Sequence, residues 1–265
     1  MKVTKWAGKA AQGTGMRAGA AILAGSLMFT GSANAQVNYF EDFESVSLNA
    51  GEGSTPVSWS NTVAGWVVDN SQMGATSVAE YQGGNVLDLT EWVAEAGQGR
   101  TSQNTLGGNK ALVFDTDQWA DTATGNADGT GYNSFWTRNF DLSTSLPGTV
   151  SIGFDYEFRA YPTQVMRAEV SFDGGANWTT LLQLDSTTLA DSAYASGGAL
   201  FNAGTDFDPT SNSMDLRFSM TQGGNDWWGA VDNIAVSATA IPEPSTTAVI
   251  GLGLMGLVLR RRRYA

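Results

Sequence analysis

Val150-Ser-Ile-Gly-Phe-Asp-Tyr-Glu-Phe-Arg159 alternates strictly: Val150, Ile152, Phe154, Tyr156 and Phe158 fall on one side, Ser151, Gly153, Asp155, Glu157 and Arg159 on the other. Period two over ten residues is the pattern of a strand with one face against a core and one face against water. The same pattern recurs downstream. Met166, Ala168, Val170 and Phe172 alternate with Arg167, Glu169, Ser171 and Asp173, and Met214, Leu216, Phe218 and Met220 with Asp215, Arg217, Ser219 and Thr221. Several such strands, separated by clusters of Gly, Ser, Thr, Asn and Asp, predict an all-β, two-layer antiparallel sandwich of jelly-roll type. Lys110-Ala-Leu-Val-Phe-Asp115 is apolar on both sides and predicts a central strand, and a short helix is expected near Thr90 to Ala96.

Working outward, the two ends of the 265-residue chain have a different character. Lys2, Lys5, Lys9 and Arg17 precede an apolar run from Ala18 to Phe29, and Ala33-Asn34-Ala35 follows. A basic region, a short apolar region and a small-x-small site predict a secretory signal at 1–35, cleaved by signal peptidase after Ala35. At the other end Ile241-Pro-Glu-Pro-Ser is followed by apolar residues from Ala248 to Leu259 and by Arg260 to Arg263. Twelve apolar residues cover about 18 Å as a helix, short of the ~30 Å of a bilayer core. The arginines would keep that end on the cytoplasmic side. This division leaves 36–240 as the folded domain and 241–265 as a tail.

The domain has six basic residues against 25 acidic ones, a net charge of −19. Such a field disfavours nucleic acid and anionic lipid and favours cations. The chain has no cysteine and no histidine. That excludes disulfides, a serine–histidine triad, a cysteine nucleophile and an ordinary zinc site. Catalysis would have to run on carboxylates, and any bound metal would be a hard, oxygen-liking cation such as Ca²⁺.

Candidate site residues follow from where acids sit among apolar residues. In Ala230-Val-Asp232-Asn-Ile234-Ala-Val236 the aspartate shares parity with Ala230, Ile234 and Val236, which points it toward the core, where a carboxylate needs a cation or several donors. Tyr39-Phe40-Glu41-Asp42-Phe43-Glu44 has the same mixture, and first and last strands of a sandwich commonly lie side by side. Glu44 and Asp232 are therefore the expected ligands of a structural calcium. Asp115, Asp117 and Asp121, in what reads as an acidic loop, form a possible second ion site. Asp155 and Glu157, two apart on a wet strand face, could serve as a glycosidase pair but are more simply an exposed strand surface. Eight of the nine tryptophans lie in the domain; Trp119 and Trp227 are the ones expected to be exposed for stacking on sugars.

Three resemblances attach to these residues. Ser171-x-Asp173-x-Gly175-x-x-Trp178 resembles the Asp-box hairpin of sialidase-type propellers; a single copy reads as a turn staple, with Asp173 capping amides and Trp178 packing beneath. The succession Asp42-Phe-Glu44, Gly108-Asn-Lys-Ala-Leu-Val-Phe-Asp115, the 150–158 strand, Val170-Ser-Phe-Asp-Gly-Gly-Ala-Asn-Trp178 and Val231-Asp-Asn-Ile234 resembles MAM-type and related bacterial jelly-roll domains. That resemblance implies a structural calcium held at the positions of Glu44 and Asp232. The tail, with Pro242-Glu243-Pro244, a short membrane segment and Arg260, Arg261, Arg262 and Arg263, resembles the PEP-CTERM sorting signal. It implies transient anchoring in the inner membrane of a Gram-negative bacterium, processing by an exosortase-type enzyme, delivery to the cell surface or extracellular matrix, and an association with exopolysaccharide. The expected function is a non-enzymatic, calcium-stabilised surface module that binds glycan; the alternatives are a carboxylate-dependent hydrolase and a purely structural envelope protein.

Overall fold

The computed structural model describes residues 37–54, 56–95, 99–100, 106–124 and 131–241. The signal segment with its cleavage site, and the sorting residues Pro242 to Pro244 and Arg260 to Arg263, lie outside the described residues. Among the described residues no helix is long and apolar enough to cross a membrane.

The expected sandwich forms from β1 (Val37–Glu41), β2 (Trp59–Ser60), β3 (Trp66–Asp69), β4 (Asn85–Asp88), β5 (Lys110–Asp115), β6 (Tyr132–Asp141), β7 (Ser151–Arg159), β8 (Val165–Ser171), β9 (Thr179–Leu184), β10 (Tyr194–Asn202), β11 (Ser213–Gly223) and β12 (Trp228–Ala238). Two short helices, α1 (Leu89–Ala94) and α2 (Thr116–Thr122), follow β4 and β5. One sheet runs β10-β7-β12-β5-β4-β2, with β1 also on β12; the other runs β3-β6-β11-β8-β9. Every pairing between these strands is antiparallel.

The alternating strands do what their pattern requires. Ile152, Phe154 and Phe158 of β7 face Leu216, Phe218 and Met220 of β11 across a closed core, and Phe154 meets Phe218 edge-on at 4.9 Å. Trp66 and Trp136 pack beside them. Burying one such aromatic or aliphatic side chain is worth about 1.5–3 kcal/mol, so this layer supplies much of the stability that a cysteine-free domain needs. The Lys110–Asp115 strand is central and buried from Ala111 onward, as its two-sided apolar pattern predicts.

The hairpin after β8 is a turn staple. Ser171 Oγ donates to Asp173 Oδ1 at 2.8 Å and accepts from the Gly175 amide at 2.9 Å, while Asp173 Oδ1 accepts from the Asn177 amide at 2.9 Å. Gly174 and Gly175 take φ of 73° and 86°, the left-handed region glycine enters without a Cβ clash. The Asn177 side chain and amide, donating to Asp173, hold its carboxyl down to about 2.

β12 departs from simple alternation. Its first half pairs with β5 (Val231↔Leu112) and its second half with β1 (Ile234↔Glu41), so one strand edge is shared by two partners. On its other edge the register to β7 shifts between Asp232 and Ala235, and Asn233 has φ 51°. This bulge inserts one extra residue and flips the parity of everything before it. Ala230 and Asp232 therefore share a face with Glu157 and Asp155 on the outside of the sheet, whereas Ile234 and Val236 face the core. The core-ward direction expected for Asp232 is wrong for this reason. It is nonetheless buried, at 2 % exposure, because the 42–46 turn fills the gap between β1 and β5 beside it.

Candidate functional site

The outer face of the seven-stranded sheet is organised in cross-strand rows, because residues opposite one another in a ladder project to the same side. One row is Asn38, Ser237, Ser151 and Asn202, all polar. The next is Phe40, Ala235, Gly153 and Leu200 across β1, β12, β7 and β10. A third holds Asp232, Asp155 and Gly198.

The middle row makes a trough. Phe40 and Leu200, on the two bounding strands, are 61 % and 67 % exposed, among the largest exposures of any bulky apolar side chains here. Between them Ala235 offers a methyl and Gly153 nothing. A Cβ on Gly153 would sit 3.5 Å from the Ala199 carbonyl and 3.7 Å from Leu200 Cδ1, so the glycine leaves open a space that a side chain could occupy. Strands spaced about 4.8 Å apart put the two walls roughly 14 Å from each other. Beside the trough a cleft of about 240 Å³ is lined by Leu106, Asp155, Tyr156, Ser196, Gly197 and Gly198.

The acidic row borders the trough. Asp155 Oδ2 accepts from Asn233 Nδ2 at 2.9 Å, and Asp232 Oδ1 accepts from the Asn233 amide at 2.7 Å. Burial pushes the Asp232 carboxyl up to about 7, against the pull of that amide, and the negative charges of Asp155, Glu44 and Asp42 push the same way. Glu44 is thus brought into the neighbourhood of Asp232. Its carboxylate, however, is engaged by the next turn: Oε1 accepts from the amides of Asn109 (2.5 Å) and Lys110 (3.1 Å), and Oε2 from Asn109 Nδ2 (3.3 Å). Burial raises Glu44, but these donors outweigh it and hold the carboxyl below its ordinary value. Among the described residues no three carboxylates stand close enough together to hold a metal ion. The cluster fits a cation in charge and in its hard oxygen donors, and falls short in the number of carboxylates aimed at one point.

Further along the same face the sheet is covered. Trp92 of α1 meets Trp228 edge-on at 5.0 Å, and the Leu106 amide donates to Glu157 Oε1 at 3.1 Å. Glu157 is fully buried as a result, so the wet face expected for an Asp155–Glu157 pair ends at Asp155.

Asp115, Asp117 and Asp121 are not gathered around one point among the described residues. Asp115 ends β5 and caps α2, its Oδ1 accepting from the Gln118 amide at 3.0 Å. Its Oδ2 accepts from Trp92 Nε1 at 2.7 Å and from Arg100 at 2.5 Å. With three of about four acceptor positions engaged, one of them by a guanidinium, this carboxylate is already compensated without a metal. Asp117 is pushed up to about 7, first by burial and then by Asp115 and Asp121, while Asp121 is exposed. The acidic loop expected here is helical because Asp115 supplies the N-cap. That helix turns Trp119 inward, where it is 0 % exposed and meets Tyr132 edge-on; it presents no face to a ligand. Trp227 is half-buried, with the Arg159 guanidinium 3.6 Å from its ring centroid and Tyr161 at its edge. One of its faces is therefore already occupied.

Sequence reasoning missed Phe40, Leu200, Gly153 and Ala235 as a set. Glycine inside a strand pattern, at Gly153 and at Gly197-Gly198, marks places where another group approaches the sheet closely.

Comparison with known proteins bears mainly on the tail. The model of the PEP-CTERM protein-sorting motif matches residues 240–263, so the chain carries the sorting motif of exported, surface-directed proteins. No curated protein matches the chain. Among solved structures, the K2 cleaved adhesin domain of Lys-gingipain is similar at 12 % identity and a TM-score of 0.43, over 76 % of this chain and 97 % of that one. The K1 adhesin domain of the same protein from Porphyromonas gingivalis W83 is similar at 13 % identity and 0.43, over 77 % and 99 %. TmCBM61, solved with β-1,4-galactotriose, is similar at 14 % identity and 0.38, over 66 % and 89 %.

Proposed function

We propose that this is a surface protein, released from an inner-membrane intermediate by an exosortase-type enzyme, whose β-sandwich is a non-catalytic module that binds a polysaccharide in the Phe40–Leu200 trough. The trough is the observation that carries the binding half of this reading. A pyranose ring has apolar C–H faces and a polar hydroxyl rim, and is gripped by apolar surface beneath and directed hydrogen-bonding groups at the side. Here Phe40, Ala235, Gly153 and Leu200 supply the first, and Asn38, Ser151, Ser237 and Asn202 on one flank with Asp155 and Asn233 on the other supply the second. A floor roughly 14 Å wide between its two walls has room for more than one sugar ring, which suits a chain rather than a monosaccharide. Pull-down of the purified full chain with a panel of insoluble polysaccharides tests this. Retention on at least one, abolished by Phe40→Ala, is expected; retention on none removes the reading.

Calcium belongs to this proposal as a stabilising ion at Asp232. What supports it is charge: Asp42, Glu44, Asp155 and Asp232 act on one another, and Asp232 carries a raised proton affinity that a divalent cation would relieve. EGTA should then lower the melting temperature by several degrees, because an ion that binds only the folded state stabilises it. An unchanged melting temperature removes calcium.

One observation favours a second reading, a carboxylate-dependent hydrolase: Asp232, with its carboxyl raised to about 7, lies directly opposite Asp155 at the rim of the trough. Release of new reducing ends from a retained polysaccharide, lost in Asp155→Asn, would replace the binding module with an enzyme.

A further inference from the structure

Resting on the reading of the trough as a glycan site, we propose that its ligand is a cationic amino-sugar polymer, a chain of hexosamine units carrying free ammonium groups that dock on Asp155.

The argument begins with position. Asp155 lies two residues from Gly153 on the same face of β7, so its carboxylate stands roughly 6–7 Å along the strand from the open floor. A pyranose lying on that floor carries its equatorial substituents outward over the next row, where Asp155 is. Openness follows. The residue opposite Asp155 on β10 is Gly198, and a Cβ there would come within 3.2 Å of Asp155 Oδ1. Glycine keeps that oxygen reachable from the trough, while Oδ2 is held in place by Asn233 Nδ2 at 2.9 Å.

Charge then selects the substituent. Asp232 sits directly across the ladder from Asp155, with Glu44 and Asp42 behind it. Two ion pairs among the described residues, Arg100–Asp115 and Arg217–Glu169, lie away from this edge. The nearest ammonium, that of Lys110, donates to the carbonyl oxygens of Glu44 (2.8 Å) and Val46 (2.7 Å), and its charge offsets that of the Glu44 carboxylate. The rim of the trough is therefore a negative edge at Asp155 on a domain with net charge −19, and the calorimetry below is run in EGTA because a calcium ion at Asp232 would offset that charge. It repels uronate and sulfated chains, is indifferent to neutral hexosyl chains, and attracts a chain with a positive group on each ring. The floor without side chains and the walls of Phe40 and Leu200 account for the ring; the acidic edge accounts for the amine.

The test compares affinities of the purified full chain for four hexamers of one β-1,4 linkage at 150 mM salt by calorimetry: glucosamine, N-acetylglucosamine, glucose and a uronate. Glucosamine hexamer should bind about tenfold tighter than the two neutral hexamers, and the uronate should not bind. Asp155→Asn should bring glucosamine down to the neutral level and leave the neutral hexamers within about twofold. Asp141→Asn removes the same charge from an exposed position on the opposite sheet and should change nothing, which separates docking at Asp155 from general attraction to an acidic protein. Equal binding of glucosamine and neutral hexamers, or equal effects of Asp155→Asn and Asp141→Asn, overturns the amino-sugar inference while leaving the glycan reading intact. Failure of every hexamer to bind, with Phe40→Ala indistinguishable from the parent protein, overturns both.

Discussion

The two outer faces of the sandwich handle their charged and aromatic side chains in opposite ways. On the five-stranded sheet Arg217 lies with its guanidinium 3.8 Å from the Trp178 ring centroid and 5.1 Å from that of Phe135, and donates through Nε and Nη2 to Glu169 Oε2. Arg167 donates to Gln183 and Thr221, and Asn139 to Asp215 and Ser213. These polar groups are answered by others on the same face, and the Arg217 guanidinium covers the Trp178 and Phe135 rings. On the seven-stranded sheet the apolar walls at Phe40 and Leu200 are bare, and the neighbouring Asp155 and Asp232 accept hydrogen bonds from the neutral Asn233. A face that completes its own interactions stabilises the fold, and a face that leaves them incomplete is where a second molecule can complete them.

The sharpest way to break this contrast is to fill the trough. Gly153→Leu adds a side chain where only ordinary contacts wait, so the fold should persist while polysaccharide affinity falls at least tenfold, about 1.4 kcal/mol, in the pull-down or by calorimetry. Next in size is damage to the self-contained face. Arg217→Ala leaves Glu169, 7 % exposed, without its partner and uncovers Trp178; about 2 kcal/mol of stability should be lost, roughly 4–8 °C in melting temperature, with ligand affinity unchanged. If binding fell with stability, the two faces would not be independent.

A smaller effect concerns the loop end of the sandwich. Asp226 is pushed up to about 6 by burial, more than the Thr163 hydroxyl and Gly224 amide pull it down. Its carboxyl thus holds a proton more tightly folded than unfolded, where it titrates near 3.8. Its contribution is present below that unfolded value and is lost as pH rises through about 6. Asp226→Asn should therefore melt about 2–3 °C higher than the parent at pH 7.5, a gain on the order of 1 kcal/mol, and no higher at pH 4. A gain of equal size at both pH values would assign it to something other than the proton.

The sequence announces the layers better than the site. Period two located β7, β8 and β11, and the two-sided apolar run located β5, because burial on one or both faces writes itself directly into residue order. The first and last strands do lie side by side, as acids at each end suggest. Asp232 was misplaced because a single residue with positive φ reverses parity, and nothing in Val-Asp-Asn-Ile states whether Asn233 will take that conformation. Trp119 was misplaced because Asp115 reads equally well as a loop acid and as a helix cap. The trough was invisible for a more general reason. Its row joins residues 40, 153, 200 and 235, which meet only through strand pairings that no local pattern encodes.

The shared edge of β12 has a mechanical consequence. Val37 and Ala238 stand opposite each other at one end of the β1–β12 ladder, so tension applied between the domain's two ends would unzip that ladder one hydrogen-bonded pair at a time. Tension entering only from the sorting-motif side meets different resistance. It arrives along β12, an interior strand gripped by β7 on one edge and by β5 and β1 on the other, and must shear all three ladders together. The domain is weak when pulled from both termini and strong when a load on the trough is resisted from its C-terminal end.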